Sequence, residues 1–117
     1  MKILLLEDSN FQRKIMVSKL KPLNCDIREC VDAEEAIVYL EANNFDLVIS
    51  DLNLPNMSGV EFIKALRKFN PNIPIVGITS PGESSEDSEQ AIKAGAICVL
   101  EKPIQNLDKI REILATI

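Results

Sequence analysis

The sequence predicts an α/β domain in which a five-stranded parallel sheet is covered by helices on both faces. Three observations carry that expectation. Five apolar runs of strand character alternate with five runs of helical spacing along the 117 residues. The connections are short, and strict β–α alternation implies right-handed crossovers between parallel strands. Aromatics make up only 4% of the chain and Trp is absent, so the core must be built from Ile, Leu, Val and Ala. That composition suits strands buried on both faces.

In order along the chain, the first strand is expected at Lys2–Leu6. Ser9 with Gln12 then resembles a capping box, opening a first helix that places Phe11, Ile15 and Leu20 on one face. The second strand is expected at Cys25–Cys30. Asp32 with Glu35 opens the second helix, with Ala33, Ala36, Ile37 and Leu40 facing inward. The third strand is expected at Asp46–Ser50, and Ser58 with Glu61 opens a third helix whose inner face is Phe62, Ile63 and Leu66. A fourth strand at Ile73–Ile78 leads through the polar stretch Gly82 to Gln90 into a fourth helix ending near Gly95, a natural C-terminal cap. The fifth strand is expected at Ile97–Leu100, and Leu107, Ile110, Ile113 and Leu114 mark the last helix. All six prolines fall at boundaries or in loops, where a missing N–H does little damage. One compact domain over residues 1–117 is expected, with no repeat and no linker.

Composition removes several function classes. The net charge of -5 argues against a nucleic-acid surface on this domain. With no His, a His-based triad and a His-ligated zinc site are excluded. Cys25, Cys30 and Cys98 lack paired spacing and read as buried small hydrophobes. No apolar run is long enough to span a bilayer and the start lacks a signal-peptide pattern, so no membrane partner and a cytoplasmic location are expected.

In parallel sheets the ligand site lies beyond the carboxyl ends of the strands. There the first strand delivers Glu7 and Asp8, the third Asp51, the fourth Thr79 and Ser80, and the fifth Glu101, Lys102 and Pro103. Each has a plain structural reading: Asp8 as a helix cap, Thr79 as a turn residue, Lys102 as an exposed charge. Their coincidence on one edge is what favours chemistry. Carboxylates held together repel by about 4 kcal/mol per pair at ~4 Å and an effective dielectric of ~20. They call for a cation, and an all-oxygen set with room for water and phosphate suits Mg²⁺ or Mn²⁺. A carboxylate can also serve as a nucleophile, forming an aspartyl phosphate.

The segment Asp51-Leu-Asn-Leu-Pro-Asn-Met-Ser-Gly59 resembles the phosphoacceptor loop of response-regulator receiver domains of two-component systems. Glu7-Asp8, Thr79 and Lys102-Pro103 match that family's other marks in order, and the match runs the length of the chain. The resemblance implies a flavodoxin-like (βα)5 three-layer sandwich, chemotaxis-regulator-like, with strand order 2-1-3-4-5. It implies Asp51 as phosphoacceptor and metal ligand, Glu7 and Asp8 as the acid pair on the metal, and Asn53 as a backbone-carbonyl ligand. Thr79 and Lys102 would each bond a phosphoryl oxygen. Lys102-Pro103 would be a cis peptide, and Gly59 would allow a turn geometry other residues resist. The partners implied are a sensor histidine kinase or histidine phosphotransfer protein, with a downstream partner or an attached output domain. Glu7 to Arg13 faintly resembles receivers attached to cyclic-di-GMP phosphodiesterase domains. A homodimer formed on phosphorylation is compatible with the same reading. Catalysis beyond the domain's own phosphotransfer and autodephosphorylation is not expected.

The chain departs from the pattern at Val99, where receivers usually carry an aromatic, and at Ser80, where a smaller residue is common. Valine is too small and too stiff at χ1 to act as a rotamer switch. Readout is therefore expected through the loop and helix from Ser80 to Ala94. Three rival readings remain at this point. A haloacid-dehalogenase-type phosphatase would want D-x-D after the first strand, whereas this chain has Asp51-x-Asn53 after the third. A flavodoxin-like binding module would want a phosphate-cradling loop where Glu7-Asp8 stands. A pseudo-receiver acting only as an interaction surface would be missing part of the site, and nothing is missing.

Overall fold

The computed structural model describes residues 1–83 and 85–117. Five strands, β1 (Lys2–Leu6), β2 (Asp26–Cys30), β3 (Leu47–Asp51), β4 (Ile75–Thr79) and β5 (Cys98–Glu101), form one parallel sheet in the order β2-β1-β3-β4-β5. Five α-helices follow them in turn: α1 (Asn10–Leu20), α2 (Ala33–Ala42), α3 (Gly59–Phe69), α4 (Ser85–Ala94) and α5 (Asp108–Ala115). The flavodoxin-like architecture and strand order are those expected from the sequence.

Period-two alternation along the strands sorts the core into two halves. Leu4, Leu6 and Val48 pack against Ala33, Ala36 and Leu40 of α2, Phe62, Ile63 and Leu66 of α3, and Ala91 of α4. Ile3, Leu5, Leu47, Ile49, Val76 and Ile78 face Met16 and Leu20 of α1 and Ile110, Ile113 and Leu114 of α5. At roughly 1.5–3 kcal/mol for each fully buried large side chain, these two faces dominate the stability of the sheet and fix its register.

Helix starts follow the sequence signals. The side chains of Ser9, Asp32 and Ser58 accept hydrogen bonds from the backbone N–H of Gln12, Glu35 and Glu61. At the end of α4, Gly95 takes φ +128°. Ala96 N–H donates to Ala91 O at 3.0 Å and Gly95 N–H to Ile92 O at 3.1 Å, the paired bonds of a Schellman cap.

Several expectations need correction. β2 begins at Asp26 rather than Cys25, and β5 runs Cys98–Glu101 rather than from Ile97 to Leu100. β3 runs Leu47–Asp51 because Asp46 closes onto Lys2 with both its amide and its carboxylate. β4 starts at Ile75 because Pro74 has no N–H to give and the Ile73 N–H is taken by the Asn70 side chain. Phe11 is 71% exposed. It stands five residues before Met16, about 140° round the helix from the buried stripe. Of the cysteines, which are all free, Cys30 is buried and Cys25 and Cys98 are half-buried. Among the described residues no helix is long and apolar enough to cross a membrane.

Candidate functional site

At the carboxyl edge of the sheet, β1 and β3 are neighbours and β3 pairs with β4. This brings together residues far apart in sequence. Carboxylate oxygens of Glu7, Asp8 and Asp51 lie within 4.8 Å of one another. Glu7 is 1% exposed and Asp51 5%, while Asp8 faces solvent. Lys102, 9% exposed, reaches in from beyond β5. Its Nζ donates to Glu7 Oε1 at 2.5 Å and to Asp51 Oδ2 at 2.7 Å. Asp51 Oδ1 accepts the Asn53 N–H at 3.0 Å. Asp51 is therefore bound at both oxygens, one by a charge and one by the backbone of its own loop.

One ammonium does not compensate this many carboxylates. Burial first, and then the neighbouring Asp51 carboxyl, push Glu7 up from 4.5 to about 7 against the pull of Lys102. Burial alone would push Lys102 down, but its bonds to Asp51 and Glu7 outweigh that and hold the ammonium above its ordinary range. Glu7 Oε2 is buried and has no hydrogen-bond partner among the described residues. An orphaned, buried oxygen on a residue clustered with two further carboxylates makes a donor set that fits a hard divalent cation.

Thr79 ends β4 and is 6% exposed, opposite Glu101 in the β4–β5 register. Its carbonyl accepts the Lys102 N–H at 2.7 Å, which ties the end of β4 to the residue that holds Asp51. The Lys102–Pro103 peptide is cis. Asn53 meets Asp51 through its N–H. Ser50 is fully buried beside the acceptor, and its hydroxyl donates to the Asp51 carbonyl at 3.0 Å.

Gly59 is present for a reason other than the one expected. Its φ is not positive; a Cβ there would sit 2.4 Å from Leu52 Cα and 2.6 Å from the Asp51 carbonyl oxygen. The residue lets the first turn of α3 approach the backbone of the acceptor loop, where no side chain fits. Val99 packs into the α2–α4 half of the core. Its Cγ2 lies 3.3 Å, and Leu52 Cδ2 3.1 Å, from where a Cβ on Gly77 would be. Alongside Lys102, a groove of about 290 Å³ is lined by Gln12, Ile15, Ser80, Pro81 and Pro103.

Residues 3–115 match the family described as "Response regulator receiver domain". The chain belongs to that family. This receiver domain is 30% identical over 115 residues to the sensor histidine kinase RcsC of Salmonella typhi, a match covering 98% of the chain and 12% of that protein. It is 33% identical over 115 residues to the response regulator protein PilR of Pseudomonas aeruginosa, covering 98% of the chain and 25% of that protein. The solved structure of the chemotaxis response regulator CheY4 of Vibrio cholerae superposes with a TM-score of 0.79 at 29% identity, covering 98% of this chain and 92% of that one. The receiver domain thus spans a quarter or less of the two curated relatives it matches here.

Sequence reading picked out every side chain in this cluster except two. Ser50 reads as one polar residue in an apolar strand, and only its place next to Asp51 could have marked it. Arg13 reads as a solvated helix charge, yet it is half-buried and donates to the Glu7 carbonyl at 2.8 Å. Nothing in the local pattern announces that bond.

Proposed function

We propose that this receiver accepts a phosphoryl group on Asp51 from a phosphohistidine donor, on a sensor kinase or a phosphotransfer protein, in a Mg²⁺-dependent reaction. The P–N bond of the donor breaks as a P–O bond to the Asp51 carboxylate forms. The observation that carries this reading is a buried Asp51 held by Lys102 beside two further carboxylates at the mouth of the sheet. Glu7, Asp8 and Asp51, with the backbone carbonyl of Asn53, are the residues to hold the cation. When bound, Mg²⁺ supplies the positive charge that lets a phosphoryl anion enter this acidic mouth. Lys102 exchanges its carboxylate contacts for a phosphoryl oxygen, and the Thr79 hydroxyl bonds another. The chemistry of the domain is limited to its own phosphorylation and autodephosphorylation, and its consequence is a change of shape read by a partner or an attached output domain. A cytoplasmic setting fits such a donor.

Intact mass after incubation with Mg²⁺ and acetyl phosphate tests this. The wild type should gain a single phosphoryl adduct, lost when Mg²⁺ is withheld and absent in Asp51→Asn. No adduct, with histidine kinases also tried as donors, would leave the interaction-only reading in its place.

The shape change runs, we propose, through residues 80 to 94. No ring stands at position 99, and Leu52 and Val99 already occupy the space over Gly77. New charge-assisted contacts of a phosphoryl group can instead order a loop. Amide exchange should slow between residues 80 and 94 on phosphorylation. Exchange that changes elsewhere and not there would overturn this route.

A further inference from the structure

Two of the three clustered carboxylates sit on the β1–α1 loop, and one side chain holds that loop from behind. Arg13 lies on α1, just past the turn capped by Ser9, and its side chain is 12% exposed. Its guanidinium makes three bonds at once: Nη1 to the Glu7 carbonyl at 2.8 Å, Nη2 to Asn10 Oδ1 at 2.6 Å, and Nε to Glu29 Oε1 at 3.1 Å. The Glu7 N–H, for its part, donates to the Cys30 carbonyl at 3.1 Å. The Glu7 backbone is thus gripped on both sides, at its N–H by β2 and at its carbonyl by Arg13. Holding the carbonyl fixes the peptide plane between Glu7 and Asp8. Asp8 is short and exposed, so the place of its carboxylate is decided chiefly by that plane.

We infer that Arg13 is a positioning residue for the acidic mouth. By holding the Glu7 carbonyl it keeps the Glu7 and Asp8 carboxylates at the spacing a divalent cation needs, and it ties that spacing to Glu29 on β2. Arginine suits the place because its rigid planar fork serves three acceptors in different directions, which a lysine ammonium on a flexible stem cannot reproduce. The inference rests on the proposed metal-dependent function. It has a built-in contrary: a positive charge near a cation site should by itself weaken cation binding. The two effects give opposite signs when the charge is removed, so substitution separates them.

The test is Mn²⁺ binding to the whole chain, followed by electron paramagnetic resonance, for the wild type, Arg13→Lys, Arg13→Gln and Glu29→Ala. Both Arg13 variants should bind roughly tenfold more weakly, the lower end of what losing an outer-shell partner of a metal ligand brings. Glu29→Ala, at an exposed edge-strand position, should weaken binding severalfold and serves as the test even if the Arg13 variants fail to fold. In adduct formation with acetyl phosphate, the Mg²⁺ concentration for half-maximal rate should rise more than the plateau rate falls. A merely structural defect would not produce that split. Arg13→Lys binding as tightly as wild type, or Arg13→Gln binding more tightly, overturns the inference, as does an unchanged affinity in Glu29→Ala. A wild type that binds no Mn²⁺ and forms no adduct overturns the function reading as well.

Discussion

The acceptor loop from Asp51 to Gly59 is fastened at nearly every step and leads into a well-buried helix, whereas the helix that follows β4 lies mostly at the surface. In the acceptor loop the Asn53 N–H meets Asp51, the Gly59 N–H donates to the Leu52 carbonyl at 3.0 Å, and Ser58 caps α3. The helix that follows buries Phe62, Ile63 and Leu66. In the loop after β4, the described residues are joined by a turn bond from Glu83 N–H to the Ser80 carbonyl at 3.1 Å. The helix that follows buries Ala91 alone among its residues. At roughly 1.5–3 kcal/mol per large buried side chain, α3 is anchored several kcal/mol more firmly than α4.

The two glycines make the same point at atomic scale. At Gly59 an added Cβ would strike the Asp51–Leu52 backbone, and backbone does not yield. At Gly82, with φ +88°, an added Cβ would meet nothing within 4 Å. One glycine is there for space and the other for conformation. The acceptor loop holds Asp51 by close backbone packing, and the movement proposed above falls to the side of the sheet where α4 buries little. Local stability of this uneven kind is what a switch requires, since the moving parts must come from the weakly held end. Such a switch is also limited at its far end. Arg67 Nη2 donates to the Gly95 carbonyl at 2.7 Å, so the C-terminal end of α4 is tied to α3.

The sharpest way to break this comparison is Gly59→Ala. With contacts of 2.4 and 2.6 Å to Leu52 Cα and the Asp51 carbonyl oxygen, the first turn of α3 or the acceptor loop must shift. A loss of about 3 kcal/mol is expected, the upper end of overpacking costs. It should be visible as a lower urea midpoint at unchanged slope, with slower adduct formation because Asp51 is displaced. A variant within about 0.5 kcal/mol of wild type would show that the acceptor loop is not rigid and would remove one side of the contrast.

How much of this was legible in the sequence divides along physical lines. Helix starts could be read because a capping side chain bonds a backbone group three residues on, as at Ser9, Asp32 and Ser58. The Gly95 cap is equally local. Strand ends slipped by a residue or two because Asp46, Pro74 and Asn70 decide them through particular bonds rather than through hydropathy. Phe11 was misplaced because an apolar residue at the start of a helix fits an inward stripe as easily as an exposed face, and only the packed partner distinguishes them. The acidic mouth was legible because topology gathers strand ends whatever their separation. Lys102 lies 95 residues from Glu7 and still meets it. The grip of Arg13 was not, since its acceptors include a carbonyl six residues back and a carboxylate sixteen residues on, on another strand. The true reason for Gly59 was hidden too, because a close backbone approach leaves no mark in composition.

A smaller effect sharpens the contrast from the other side. Gly82→Ala should cost only about 1–2 kcal/mol, from the positive φ alone, with no steric contribution because the space around it is open. Adduct formation on Asp51 should remain near wild type, since the added methyl has open space around it. The response of the loop should change all the same. An alanine disfavours the present backbone state, so it raises the population of any alternative that keeps φ negative, and the loop moves toward that state even without phosphate. Amide exchange over residues 80 to 83 in the unphosphorylated variant should then differ from wild type, while exchange over Asp51 to Phe62 stays as it was. If exchange in the acceptor loop shifts as much as in the β4–α4 loop, the two regions are mechanically one. The division between a fixed acceptor and a movable reader would then have to be given up.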